Sequence, residues 1–152
     1  MTTEEKIGKI LLEKGLTIST AESCTGGLLS SRLTDVAGSS AYITLNLVTY
    51  SVEAKNKMLK VVLDNIDVVS EDCAYQMAKG LYNLTGSDIC VSTTGNAGPT
   101  GNPVGLMYST IYTPQKYRNY KIVLPSNIER IEMKKKFTEA VLNTLCEFLT
   151  SL

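Results

Sequence analysis

Segments with helical periodicity alternate with segments of strand character along nearly the whole chain, and this alternation restricts the fold more than any other feature. In "TTEEKIGKILLEKG" the apolar residues Ile7, Ile10 and Leu11 recur at helical spacing ahead of Gly15, which predicts an amphipathic helix with a glycine stop. "LTISTAE" has a β-branched bias and alternates, predicting a strand over Leu16 to Ala21. "SCTGG" reads as a turn, and "GLLSSRLTDV" has the period of a helix ending near Ala37–Gly38. "AYITLNLVTY" is the clearest long strand, followed at once by the helical pattern "SVEAKNKMLKV". "SEDCAYQMAKGLYNLTG" carries a serine cap, acidic residues in its first turn and a terminal glycine. "SDICVSTTG" predicts a strand entering the loop "GNAGPTGNP", and "VGLMYSTIYT" and "YRNYKIVL" predict two strands joined across a proline-containing turn. From Asn127 onward, Ile131, Phe137, Val141, Leu142, Leu145, Phe148 and Leu149 predict a closing helix. This order implies an α/β fold, three-layer α/β/α, around a mixed, mostly parallel sheet with one antiparallel member from the late hairpin. In such sheets ligands bind outside the carboxyl ends of strands, where "ESCTGG", "VTYSVEAK" and "TTGNAGP" all fall.

The 152 residues carry a formal net charge of zero and no histidine. The length predicts one domain over residues 1–152, large enough to bury a substantial core. Zero net charge argues against a broad electrostatic grip on nucleic acid, and the basic run "MKKKF" reads as a solvated helix face. No run reaches the roughly 18 apolar residues that would span a membrane. The charged, helical start is not a signal peptide, and the chain reads as cytoplasmic. Cys24, Cys73, Cys90 and Cys146 are scattered without a C-x-x-C pair, which suits a reducing compartment. Without histidine a histidine-ligated metal is excluded, and no cofactor is expected.

The missing histidine raises the question of what could take a proton from a serine nucleophile. Lysine can, provided it is held neutral by burial or positive potential. Lys55 suits this role, because Ser51 is a plausible N-cap and puts Lys55 near the positive end of the following helix. Tyr50 ends the preceding strand, and its phenol could reach the same place. Ser40 lies at the start of that strand and meets Lys55 only if the chain doubles over or a second subunit contributes; by spacing alone it reads as a turn residue. In "ESCTGG" the hydroxyls of Ser23 and Thr25 and the backbone around Gly26 and Gly27 could seat a phosphate or carboxylate, or could form a plain helix cap. Cys24 could be a thiolate at a helix start, but it reads better as a small residue packed beneath the loop. The loop beginning at Thr94 and Gly95 could offer N–H donors to an oxyanion, or could be a flexible connection.

The series "TAESCTGGLLSSRLTDVAGSSAYI", "VTYSVEAK", "VSEDCAYQMAKG" and "TTGNAGPTGNPVG" resembles the CinA C-terminal domain family, which includes competence/damage-inducible protein A and the nicotinamide mononucleotide deamidases. The resemblance runs from about Glu4 to Leu149, and the chain looks like the stand-alone form, without the nucleotide-hydrolase domain of larger members. It implies a serine amidohydrolase that converts nicotinamide mononucleotide to nicotinic acid mononucleotide and ammonia in pyridine nucleotide recycling. By the resemblance, Ser40 matches the nucleophile, Lys55 the general base and Tyr50 an assisting hydroxyl. Ser23 matches a serine of the active-site loop, and Arg130 an arginine acting on the phosphate or in catalysis. The resemblance also implies a homo-oligomer, with a dimer favoured. Leu45 and Asn46 stand where the family usually has glycines, and Val52, Lys60, Asn96 and Asn102 also depart from its pattern. These changes imply altered pocket walls and leave a second class open, a catalytically silent nucleotide-binding module or an amidase of altered substrate.

Overall fold

A computed structural model describes residues 1–152. The strands β1 (Ile18–Glu22), β2 (Ile43–Val48), β3 (Ile89–Gly95), β4 (Leu106–Tyr112) and β5 (Tyr117–Val123) form one sheet in the order β2-β1-β3-β4-β5. β1 pairs parallel with both β2 and β3, whereas β4 pairs antiparallel with β3 and β5. Four strands therefore point one way and β4 alone is reversed, as the late hairpin predicts. The carboxyl ends of β1, β2 and β3 lie together on one edge of the sheet.

The helices are set by local signals. α1 (Thr3–Lys14) is capped by Thr2 Oγ1, which accepts from Glu5 N, and it ends on left-handed Gly15. α3 (Val52–Leu59) begins as the sequence predicts, with Ser51 Oγ accepting from Ala54 N. α4 (Glu71–Thr85) is capped by Ser70 and ends on left-handed Gly86. α5 (Arg130–Thr150) closes the chain. α2 (Leu28–Thr34) is shorter than its sequence period suggests; it gives way to a 3-10 turn, Ser39–Ala41, ahead of β2.

Two cores sandwich the sheet. Ile7, Leu11, Leu29, Leu33, Phe137 and Leu145 join α1, α2 and α5 to one face, and Leu59, Cys73, Met77 and Leu81 join α3 and α4 to the other. β2, the clearest strand in the sequence, is an edge strand and only half-buried, while β1 is buried along its whole length. β1 also reaches one residue further than predicted, to Glu22, which brings a carboxylate into the interior. On the second face α3 lies so close to α4 that a Cβ on Gly80 would sit 2.1 Å from Leu59 O. This contact fixes the height of α3, and with it Lys55, above the sheet.

Candidate functional site

The carboxyl edge of the sheet carries a recess of about 260 Å³, lined among others by Ser23, Tyr50, Lys55, Gly95, Ala97 and Arg130. β1 delivers Ser23 to it, β2 delivers Tyr50 and α3, and β3 delivers Thr94 and Gly95.

Lys55 is completely buried, and its Nζ lies 3.1 Å from Ser23 Oγ, 2.7 Å from Thr49 O and 3.0 Å from Tyr50 O. No carboxylate pairs with it. Burial therefore lowers its pKa from the ordinary lysine value, against a smaller opposing influence from the Cys73 and Cys24 thiols. Lys55 Nζ donates to the carbonyls of Thr49 and Tyr50 and to Ser23 Oγ; on loss of its proton the two carbonyl contacts can persist, and the lone pair can then accept the Ser23 hydroxyl. A buried lysine of this kind can act as a base at a pH where an exposed one cannot.

The turn carrying Ser23 is held from below by Glu22. This fully buried carboxylate accepts from Thr25 Oγ1 at 2.6 Å, Gly27 N at 3.2 Å, Leu29 N at 2.9 Å and Ser30 N at 3.0 Å, and also from Ser30 Oγ. Ser23 N in turn donates to Thr93 Oγ1 at 3.2 Å. The anion that the start of α2 could attract is thus already there, and it is the chain's own. The N–H groups of Gly27, Leu29 and Ser30 are therefore already taken, and at the helix start itself "ESCTGG" forms a cap. Thr25 is fully buried and bonded to Glu22 and Thr93 rather than facing the recess. Gly26 and Gly27 lie outside it, in a shallower hollow beside α5.

Ser40 is not brought to Lys55. It sits exposed in the 3-10 turn that precedes β2, at the amino end of that strand, whereas Lys55 follows the carboxyl end. Six strand residues separate the two ends, roughly 17–20 Å. Within one chain the serine beside Lys55 is Ser23, and Ser40 could meet Lys55 only from a second subunit. The signal for Ser23 was available in the sequence, since a residue directly after a parallel strand lands on the carboxyl edge and one directly before a strand does not.

Tyr50 is 60% exposed and leans over the recess, its hydroxyl accepting from Arg130 Nη2 at 2.9 Å. Arg130 Nη1 is anchored on Gly98 O, so the guanidinium bridges the tyrosine and the loop after β3. Thr94 contributes wall rather than a free hydroxyl, because its Oγ1 donates to Val68 O at 2.7 Å. Cys24 lines the recess but is buried, which pushes its thiol up to about 12 and removes it as a thiolate. Of the departures from the family pattern, Val52 and Asn96 line the recess. Leu45 and Asn46 do not: Asn46 Oδ1 accepts from Thr20 Oγ1 at 2.8 Å, within the sheet. Lys60 takes the left-handed C-cap of α3, a position that favours glycine. Glu22, Thr93 and Thr49 support the site without having been singled out in the sequence.

The CinA C-terminal domain sequence profile matches residues 1–149. The chain belongs to the CinA C-terminal domain family. A CinA-like protein of Chloroherpeton thalassium is 44% identical over 160 residues, covering 99% of this chain and 38% of that protein. Another, of Chlorobium limicola, is 41% identical over 160 residues, covering 97% of this chain and 37% of the relative. The chain thus spans little more than a third of the length of these relatives. Among solved structures, a CinA superfamily protein of Klebsiella pneumoniae superposes with a TM-score of 0.92 at 27% identity, covering all of both chains. The competence/damage inducible protein CihA of Agrobacterium tumefaciens superposes with a TM-score of 0.88 at 34% identity, covering 97% of this chain and 95% of that one. The CinA fold is the three-layer α/β arrangement described above.

Proposed function

We propose that this CinA-family chain is a serine amidohydrolase that deamidates nicotinamide mononucleotide, with Ser23 as nucleophile and Lys55 as general base. The observation that carries this reading is the 3.1 Å approach of Lys55 Nζ to Ser23 Oγ, made by a fully buried lysine with no carboxylate partner. Neutral Lys55 takes the hydroxyl proton as Ser23 Oγ bonds to the carboxamide carbon. The resulting ammonium gives that proton to the departing nitrogen, the C–N bond breaks, and ammonia leaves an acyl ester on Ser23. Water then adds to the ester carbon, Lys55 takes its proton and returns it to Ser23 Oγ, and the free acid is released. Tyr50 and Arg130 close the mouth of the recess, and Gly95 and Ala97 line its wall with backbone.

This reading retains the amide hydrolysis implied by the family resemblance and moves the nucleophile from Ser40 to Ser23. Its test is the purified chain incubated with nicotinamide mononucleotide. Ammonia and nicotinic acid mononucleotide should form in equal amounts, and Lys55→Ala should abolish both while Cys24→Ser should not. Turnover that survives Lys55→Ala would end the proposal. Tight calorimetric binding with no product would favour the silent binding module, for which the changed lining residues Val52 and Asn96 are the motivation.

A further inference from the structure

The recess beside Ser23 is small for a whole mononucleotide: its volume of about 260 Å³ lies just below the ~300–1,000 Å³ usual for sites that enclose a drug-sized ligand. With the carboxamide at Ser23, the phosphate, at the far end of the nucleotide, falls toward the mouth. The start of α2 is closed to a phosphate by Glu22.

A cation lies next to that exit. Of the lysines in the chain only Lys55, Lys116 and Lys134 are not exposed. Lys55 has its three acceptors; Lys116 donates to Ser151 Oγ at 3.4 Å and lies 5.1 Å over the Phe148 ring. Lys134 is half-buried, and its ammonium makes neither a hydrogen bond nor an ion pair. It extends across Gly26, where an added Cβ would stand 3.2 Å from Nζ. Gly26 N donates to Ser23 O at 3.0 Å, closing a four-residue turn whose ends stay within about 7 Å of each other. Lys134 also follows Arg130 by one turn of α5, so the two cations share a face of that helix. Lys134 lines a hollow together with Gly26, Gly27, Ser31 and Ile131, and Ile131 follows directly on Arg130, which lines the recess.

We propose that Lys134, with Arg130 one turn before it, forms the subsite for the substrate's phosphate and makes the chain select a nucleotide over its nucleoside. This rests on the deamidase reading and extends it to a residue that takes no part in the bond-breaking steps. A half-buried ammonium without a partner has lost part of its hydration and gained no acceptor, so it is poised for a charge-assisted contact with a phosphate oxygen.

The experiment compares the ratio of kcat/KM for nicotinamide mononucleotide to that for the phosphate-free nucleoside, in the full chain and in Lys134→Ala and Lys134→Arg. Lys134→Ala should lower this ratio by about 10- to 100-fold, mainly through KM for the nucleotide, and Lys134→Arg should restore most of it. An unchanged ratio in Lys134→Ala overturns the proposal, whether both activities persist or both fall together. If the chain turns over neither compound, the deamidase reading fails separately, and calorimetric titration with nicotinamide mononucleotide then tests the subsite. Binding weakened at least tenfold by Lys134→Ala, with an unchanged melting temperature, supports it. Binding indifferent to Lys134, or no binding to the unaltered chain, overturns it.

Discussion

Lys55 is held without a counter-charge where burial disfavours its ammonium, and this has two consequences for pH dependence. Its folded pKa lies below the unfolded lysine value. Between these two values the unfolded chain binds the proton that the folded chain has shed, so stability rises with pH across that interval. Below the folded pKa the ammonium must be buried and the full cost is felt; above the unfolded value that cost is gone. Lys55→Met should therefore melt at a higher temperature than the unaltered chain near neutral pH, with the gap narrowing as pH climbs toward the ordinary lysine value. A gap that stayed constant from neutral to alkaline pH would contradict the assignment. Deamidation, which needs the free amine, should increase as pH rises through the folded pKa and level off above it. Glu22 bears on stability in a different way. Glu22→Ala leaves the Thr25 and Ser30 hydroxyls and three backbone N–H groups without their shared acceptor, and should cost about 3 kcal/mol or more in denaturant unfolding. A loss under about 1 kcal/mol would mean that water replaces the carboxylate without penalty. At this scale the sequence disclosed a good deal. The place of Lys55 near the start of its helix was legible because Ser51 caps that helix, and Cys24 was legible as a packed thiol. Glu22 was not, because a carboxylate at the end of a predicted strand looks like solvent-facing punctuation until the strand is found to run on into the core.

Among the elements, α3 positions Lys55 and α4 positions α3. The close approach at Gly80 is what makes this possible, since any side chain there would meet the Leu59 carbonyl. Gly80→Ala should push α3 outward, destabilise the fold by about 1–3 kcal/mol and lower the melting temperature by several degrees. Activity should fall by more than the change in folded fraction explains, because Lys55 Nζ moves away from Ser23 Oγ. Unaltered kinetics at temperatures where the variant is folded would show that the height of α3 is not critical. Caps and stops made most elements readable in advance, with Ser51 and Ser70 opening helices and Gly15 and Gly86 ending them. The place of β2 in the sheet was not readable. "AYITLNLVTY" has the β-branched, apolar composition of an interior strand, yet it lies on the edge, and the more polar "ISTAE" is enclosed on both sides. Hydroxyl pairing accounts for this: Ser19 bonds to Ser87, and Thr20 to Asn46 and Ser30, so the small polar side chains of β1 are satisfied inside the protein.

For the molecule as a whole, strand order decides the chemistry. Because β1, β2 and β3 run parallel side by side, the segments that follow them converge on one edge, and the segment that precedes β2 is left at the other. Ser23, Lys55 and Gly95 are collected in this way although 72 positions separate the first from the last, and Ser40 is carried away although only 15 positions separate it from Lys55. Strand direction, not distance along the chain, thus decides which serine stands beside Lys55. In the proposed mechanism Ser23 and Lys55 come from the same chain, so it calls on no residue from a second copy. Ammonia release from nicotinamide mononucleotide, measured side by side for the unaltered chain, Ser23→Ala and Ser40→Ala, tests this most directly. Removing the Ser23 hydroxyl should reduce turnover by at least about a thousandfold, and Ser40→Ala should retain activity within a few-fold of the unaltered chain. Full activity in Ser23→Ala together with loss in Ser40→Ala would contradict the account and assign the nucleophile to the far end of β2, within reach of Lys55 only from a second subunit.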